Sequence, residues 1–387
     1  MTTGTLACFL ENNCYKGDFF MKKYLLVLFS ISIFLTGCAT KNSINSDYEF
    51  KAQPVIKSVG NIEVIIDPNV EMMNILGRLA NLTPYKKSDV MISYYTNNVD
   101  EYFSKFKSCS AVNTLKNYNV CYQRVPEFGM YLNSDDSDFV HDINDSRFIV
   151  SDGRANQVGY YSKTFISQVK NFRIKSDFDS FFISNLDYYN SMIDSKIKIL
   201  KDLEFDKWLK DFYNINNDNK VCLYLTDLSG NYGISYVNQF GEIVPHAVVL
   251  GYTNNYSFIY LLSHEFSHPY TSDIVDELYC YPYVRDLFDE LYKKNKSKYD
   301  SNGYPGGRWV LNETINQACA NKFNEKCFPS NVLKSNDDWE VNGKKMIYVP
   351  QISVFFDNYE KNLKKYSQLK DFAPELSELI KTLPKVE

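Results

Sequence analysis

Residues 255–268 read NYSFIYLLSHEFSH, and the run His264-Glu265-Phe266-Ser267-His268 decides how the rest of the chain is read. Phe258, Ile259, Leu261 and Leu262, behind a polar start at Asn254 and Asn255, predict a helix. Histidines four residues apart on a helix project from one face about one turn apart, so both imidazoles reach a single ion. Glu265 stands about 100° round the helix, beside that ion. Two imidazole ligands and a neighbouring carboxylate are what zinc-assisted hydrolysis requires. The chain has only four histidines, so two surface histidines falling into this pattern by chance is the weaker reading. Pro269 follows directly, and proline disfavours helical geometry in the residue before it. The motif helix is therefore expected to end at His268.

Catalytic zinc takes three protein ligands and leaves one position open. A metzincin-type site would place Gly and His where this chain has Thr271 and Ile274, which excludes that class. His141 and His246 both precede the motif, so a carboxylate is the better third ligand. Glu313 is the candidate, in a segment that follows the Gly306-Gly307 break and sets Trp309, Val310, Glu313, Gln317 and Ala320 at helical spacing on one face. A carboxylate on an otherwise buried stripe needs a partner, and a metal is one. Asn312, Asn316 and Gln317 are placed to bond to the ligands from behind. A glutamate paired with lysine or simply solvated is the bland alternative. Asp273, Asp276 and Glu277 are rivals closer to the motif.

Working outward, the segments VCLYLTDL, YGISYV and IVPHAVVLGY, from Val221 to Tyr252, read as short strands before the motif helix. The strand Ile243 to Leu250 is expected to be the sheet edge along which an extended peptide could pair. Asn61 to Asp67 alternates as a strand, Glu71 to Leu82 has helical spacing, and amphipathic segments recur to Tyr213. The expected architecture is α+β, mainly helical, with a small mixed sheet preceding the active-site helix. A mainly helical region at 56–215 is followed by a catalytic region at 216–387.

The N-terminus addresses the protein. From Met21 the chain reads MKKYLLVLFSISIFLTGC: two lysines, an apolar run, then Leu35-Thr36-Gly37-Cys38. An apolar run of about a dozen residues is too short to span roughly 30 Å of hydrocarbon. Residues 1–20 fit no export signal and read as an upstream extension of the true start. A polar tether, Lys41 to Asp47, follows. The net charge of −5, with no basic block, argues against nucleic acid as a partner. Of nine cysteines, setting aside Cys8, Cys14 and Cys38 leaves Cys109, Cys121, Cys222, Cys280, Cys319 and Cys327. Cys109 with Cys121 and Cys319 with Cys327 are the close pairs for disulfides, the alternative being free buried thiols.

These motifs carry resemblances. Residues 21–38 resemble a bacterial lipoprotein signal, which implies cleavage before Cys38, acylation of its thiol and an exported, membrane-tethered chain, on the outer membrane or cell surface where there is one. A glutamate-bearing helix well after HExxH resembles the gluzincin arrangement of thermolysin-like peptidases. HEFSHPY, with the preceding GYTNN, the later NExxxQ and the ending DFAPEL, is similar to a family of exported bacterial proteins catalogued as a domain of unknown function, over most of Val55 to Ile380. The resemblance implies a Zn2+ peptidase acting on peptide or protein, with His264, His268 and Glu313 on the metal and Glu265 as base. Tyr270, Tyr304, Arg308 and His246 are candidate donors to a developing oxyanion. Two other functions fit the same features. One is a non-catalytic surface lipoprotein binding glycan or protein, and the other is a zinc amidase acting on cell-wall peptides.

Overall fold

The computed structural model describes residues 50–117, 124–132, 163–215, 220–230, 232–237, 246–251 and 254–385. The signal segment with Cys38, the tether, His141 and Cys121 lie outside them. Two strands open the described chain, β1 (Val55–Val59) and β2 (Ile62–Ile66). The helices α1 (Pro68–Leu79), α2 (Tyr94–Tyr102), α3 (Ser110–Asn117) and α4 (Arg124–Tyr131) follow. Next come α5 (Lys163–Lys175), α6 (Phe178–Ser184), α7 (Leu186–Asp202) and α8 (Phe205–Tyr213). Three strands, β3 (Val221–Leu225), β4 (Gly233–Val237) and β5 (His246–Leu250), lead to α9 (Asn255–Tyr279). The chain closes with α10 (Pro282–Lys294), α11 (Lys296–Asn302), α12 (Gly307–Cys327), α13 (Ser330–Asp338), α14 (Val349–Lys361) and α15 (Ala373–Thr382). The fold is α+β, mainly helical with a small mixed sheet, as expected.

The sheet order is β1-β2-β3-β5-β4. β2, β3 and β5 run parallel, and β1 and β4 close the two ends antiparallel. β3, VCLYL, is buried at every position, the pattern of a strand covered on both faces. Because β2 pairs with β3, the sheet joins the N-terminal strands to those before the motif helix. Of the strand expected at Ile243–Leu250, residues 243–245 lie outside the described residues, and the expectation that it forms the edge is corrected: β5 inserts between β3 and β4, and among the described residues β4 is the edge strand on this side. Order along the chain does not reveal such an insertion, because pairing is a long-range choice.

Helix starts follow local chemistry. Asp67 caps α1 by accepting from the N–H groups of Asn69 at 2.8 Å and Val70 at 3.0 Å, with Pro68 in the first turn. Asn254 caps α9 through the Ser257 N–H at 2.8 Å. α9 then runs straight past Pro269 to Tyr279, which corrects the expected stop at His268. Proline removes one hydrogen bond from a helix interior, and here packing outweighs that loss. The flanking residues Ser267, Thr271, Ile274 and Val275 are fully buried, and Thr271 hydroxyl donates to Asn316 Oδ1 on α12 at 3.2 Å.

α12 is the central helix of the C-terminal half, with Glu313 to Asn324 buried on every side, as a helix inside a core must be. It packs against α9, α10 and α14. Its N-terminal Trp309 is 46% exposed, so that residue does not belong to the buried stripe expected of it. Cys319 and Cys327 both lie on α12 and are free thiols, as are Cys109, Cys222 and Cys280. Eight residues of helix separate the pair by about 12 Å, beyond disulfide reach, so the expected Cys319–Cys327 bridge is corrected.

Candidate metal centre

The polar residues buried in α12 need partners, and α9 supplies them. Asn316 Nδ2 donates to the His264 carbonyl at 3.0 Å. Ser263 hydroxyl donates to Asn324 Oδ1 at 3.0 Å, and Gln317 Oε1 lies 2.9 Å from His264 Nδ1. This polar seam sets the register of the two helices and brings Glu313 opposite the two histidines. His264 Nε2 is 3.4 Å from Glu313 Oε2, and His268 Nε2 is 3.8 Å from Glu313 Oε1. One ligand atom from each of the three side chains lies within 4.8 Å of the others.

Two imidazoles and a carboxylate could hold a metal ion such as zinc. Bonds of about 2.0–2.1 Å in a tetrahedron put neighbouring ligand atoms roughly 3.3–3.4 Å apart, against 3.4 Å for His264–Glu313 and 3.8 Å for His268–Glu313. Gln317 Oε1 can only accept, so His264 carries a proton on Nδ1 and has Nε2 on the side of Glu313. Burial holds His268 well below its usual value, at about 4, so it is neutral and able to ligate at physiological pH. Burial also disfavours a charged His264, but its hydrogen bond to Glu313 and that residue's charge outweigh this and raise it. Burial would push the Glu313 carboxyl up, yet the neighbouring His268 and His264 bring it down to about 2, so it stays an anion.

Glu265 is 7% exposed, and its carboxylate lies 3.9 Å from His268 Nε2. Burial raises it to about 7, a value suited to taking and returning a proton near neutrality. The edge strand holds it: the Ser235 backbone N–H bonds to the carboxylate, and Gly233 lies flat against the side chain. A Cβ on Gly233 would come 2.4 Å from Glu265 Cγ, so glycine there gives the glutamate its place.

The rival ligands are elsewhere. Asp273, Asp276 and Glu277 are exposed on α9, and Asp276 pairs with Arg308, 2.9 Å from its Nε, so neither of that pair faces the triad. Tyr270 stacks on Tyr213 with centroids 4.6 Å apart. Tyr304 is buried. His246 begins β5, opposite Val237.

Sequence reasoning missed the support behind the ligands. Tyr260 hydroxyl donates to Gln317 Oε1 at 3.1 Å and also reaches Glu340. Glu340 is fully buried on the wide turn Trp339–Gly343 and pairs with Lys344 at 3.1 Å. Tyr260 was findable, since it lies one helical turn before His264 on the same face. Nothing local marks Glu340, Lys344, Gly233 or Ser235. Among the described residues no helix is long and apolar enough to cross a membrane.

A family model described as a domain of unknown function (DUF4932) matches residues 62–379, and the chain belongs to that family. The match covers nearly the span of the resemblance read from HEFSHPY and its flanking motifs. No curated protein and no solved structure matches the chain.

Proposed function

From membership of a family without an assigned activity, we propose that the protein is a zincin-like, gluzincin-type zinc peptidase, exported and lipid-anchored at Cys38. The observation that carries this reading is one buried group. It joins His264, His268 and Glu313, with Glu265 beside it and the end strand β4 alongside. His264, His268 and Glu313 would hold Zn2+. When bound, the ion lowers the pKa of water toward neutrality and polarises a carbonyl.

The chain's own residues do the rest. Glu265, fixed by Gly233 and the Ser235 N–H, accepts a proton from the attacking water and returns it to the leaving amine. Gln317 orients the His264 imidazole through Nδ1, and Asn316 fixes the backbone of the motif helix through the His264 carbonyl. β4, the end strand of the described sheet, is where an extended peptide would pair through its main chain, which favours broad over sharp side-chain preference. A purely structural zinc site has no use for a carboxylate so placed, and this favours catalysis over a vestigial site.

The test is metal content and hydrolysis on the same preparations. Wild type is expected to hold about one zinc per chain and to cleave a quenched-fluorescent peptide library. Glu265→Gln should keep the zinc and lose cleavage, and Glu313→Ala should lose zinc. Wild type without tightly held metal, or full zinc occupancy in Glu313→Ala, would overturn the assignment. Activity confined to peptidoglycan fragments would move the substrate to cell-wall peptides.

A further inference from the structure

A second feature lies away from the metal triad. Between α7 and the start of α9 is a cleft of about 450 Å3, and none of the triad residues line it. It sits outside the carboxyl ends of β3 and β5, bordered by Leu225, Thr226 and Asp227 after β3 and by Gly251 after β5. Parallel strands collect small ligands at that end, because the diverging connections leave a crevice.

The walls carry opposite charges. Asp227, only 3% exposed, accepts from the Tyr188 hydroxyl. Lys196 on α7 reaches into the same space, its ammonium 4.5 Å from the Phe258 ring centroid. Beside Lys196 begins α9, a helix of 25 residues whose first-turn residue Asn255 borders the cleft. First-turn N–H groups have no acceptor within their own helix and carry the positive end of its dipole. The lining therefore holds a cation and an anion close enough to act on one another, with the first-turn N–H of Asn255 beside them.

Gly251 is packed tightly from behind: a Cβ there would come 2.1 Å from the Gly230 carbonyl and 2.6 Å from Ser229 Oγ, so only glycine fits at this border of the cleft.

We propose that this cleft binds a small zwitterion of the amino-acid class, a free amino acid or short peptide. Its carboxylate lies on Lys196 and the first turn of α9, and its ammonium on Asp227. A molecule that carries both charges complements the cation and the anion of that lining. Phe258 stands seven residues, about 10 Å, before Glu265 on nearly the same helix face, so an occupant would touch the helix that carries the metal site. The inference does not depend on the peptidase reading.

The experiment is calorimetric titration of the whole chain with the free amino acids and alanyl-alanine. N-acetyl amino acids, amino-acid amides and monosaccharides serve as controls. At least one free amino acid or the dipeptide should bind saturably. Blocking either charge on that ligand should weaken binding about tenfold or more, as should Lys196→Met or Asp227→Asn. Protein stripped of metal by a chelator should bind as untreated protein does, which separates this site from the metal centre. Lys196→Met changes a half-buried residue, so the test survives if Asp227→Asn fails to fold. No binding up to about 10 mM, equal binding of charge-blocked analogues, binding of saccharides alone, or loss of binding on metal removal would overturn it.

Discussion

Gln317 offers the sharpest test of how the metal ligands are prepared. Its Oε1 lies 2.9 Å from His264 Nδ1, and its Nε2 donates to Asn321 Oδ1 at 2.9 Å, so the amide is held with its oxygen toward the imidazole. Gln317→Met keeps the length and buried volume but removes the acceptor. The His264 tautomer that presents Nε2 to the metal then loses its preference. Outer partners of this kind are worth about 10–100-fold in metal affinity, or roughly 1.4–2.7 kcal/mol. Gln317→Glu keeps an acceptor and adds charge, which raises ligand basicity, so zinc should bind as tightly as in wild type or more so. Competition against a chromophoric chelator reads both constants, and thermal melting of the metal-free proteins shows whether the fold is intact. Wild-type zinc affinity in a folded Gln317→Met would refute the argument, as would equal weakening in both variants.

Three further outcomes follow from the same geometry. Gly233→Ala places a Cβ 2.4 Å from Glu265 Cγ, so the base must move; zinc content should hold while kcat falls by about a hundredfold or more, and an unchanged kcat would show that Gly233 does not seat the base. Glu71, buried and receiving the Tyr95 hydroxyl at 2.5 Å, is raised by burial from 4.5 to about 7. A raised carboxylate stabilises the fold fully below its unfolded value and loses that contribution as pH rises through the folded one. Wild-type stability should therefore fall by up to about 3 kcal/mol between pH ~4.5 and ~7 relative to Glu71→Gln in urea titrations; parallel pH profiles would contradict this. Phe323, 1% exposed with its ring centroid 4.8 Å from Phe205 and 4.9 Å from Trp208, should cost about 3–5 kcal/mol as Phe323→Ala, measured by chemical denaturation.

Much of the candidate site was legible because it is local. His264 and His268 are brought together by helical period alone, and Glu265 follows at the next position. Glu313 was recoverable because a carboxylate among Val310, Gln317 and Ala320 sits on a stripe that only a core would bury. Pro269 misled, since a local preference of a few kcal/mol yields to the packing of Ser267, Thr271 and Ile274. The cysteine pair misled for the opposite reason. Proximity in sequence becomes distance once Cys319 and Cys327 are stretched along one helix.

The sequence by itself determined the strands, the capped helices, the paired imidazoles and the adjacent carboxylate, because hydrogen bonds and side-chain periods act within a few residues. Tertiary structure alone decided that β5 inserts between β3 and β4, and that Gly233 and Ser235 therefore seat Glu265. It also decided that Asn316 and Gln317 lock α12 onto α9, and that Lys196 and Asp227 face one cleft. Those choices rest on burial and on pairing between groups far apart along the chain, where the lowest free energy belongs to the whole core and to no single segment.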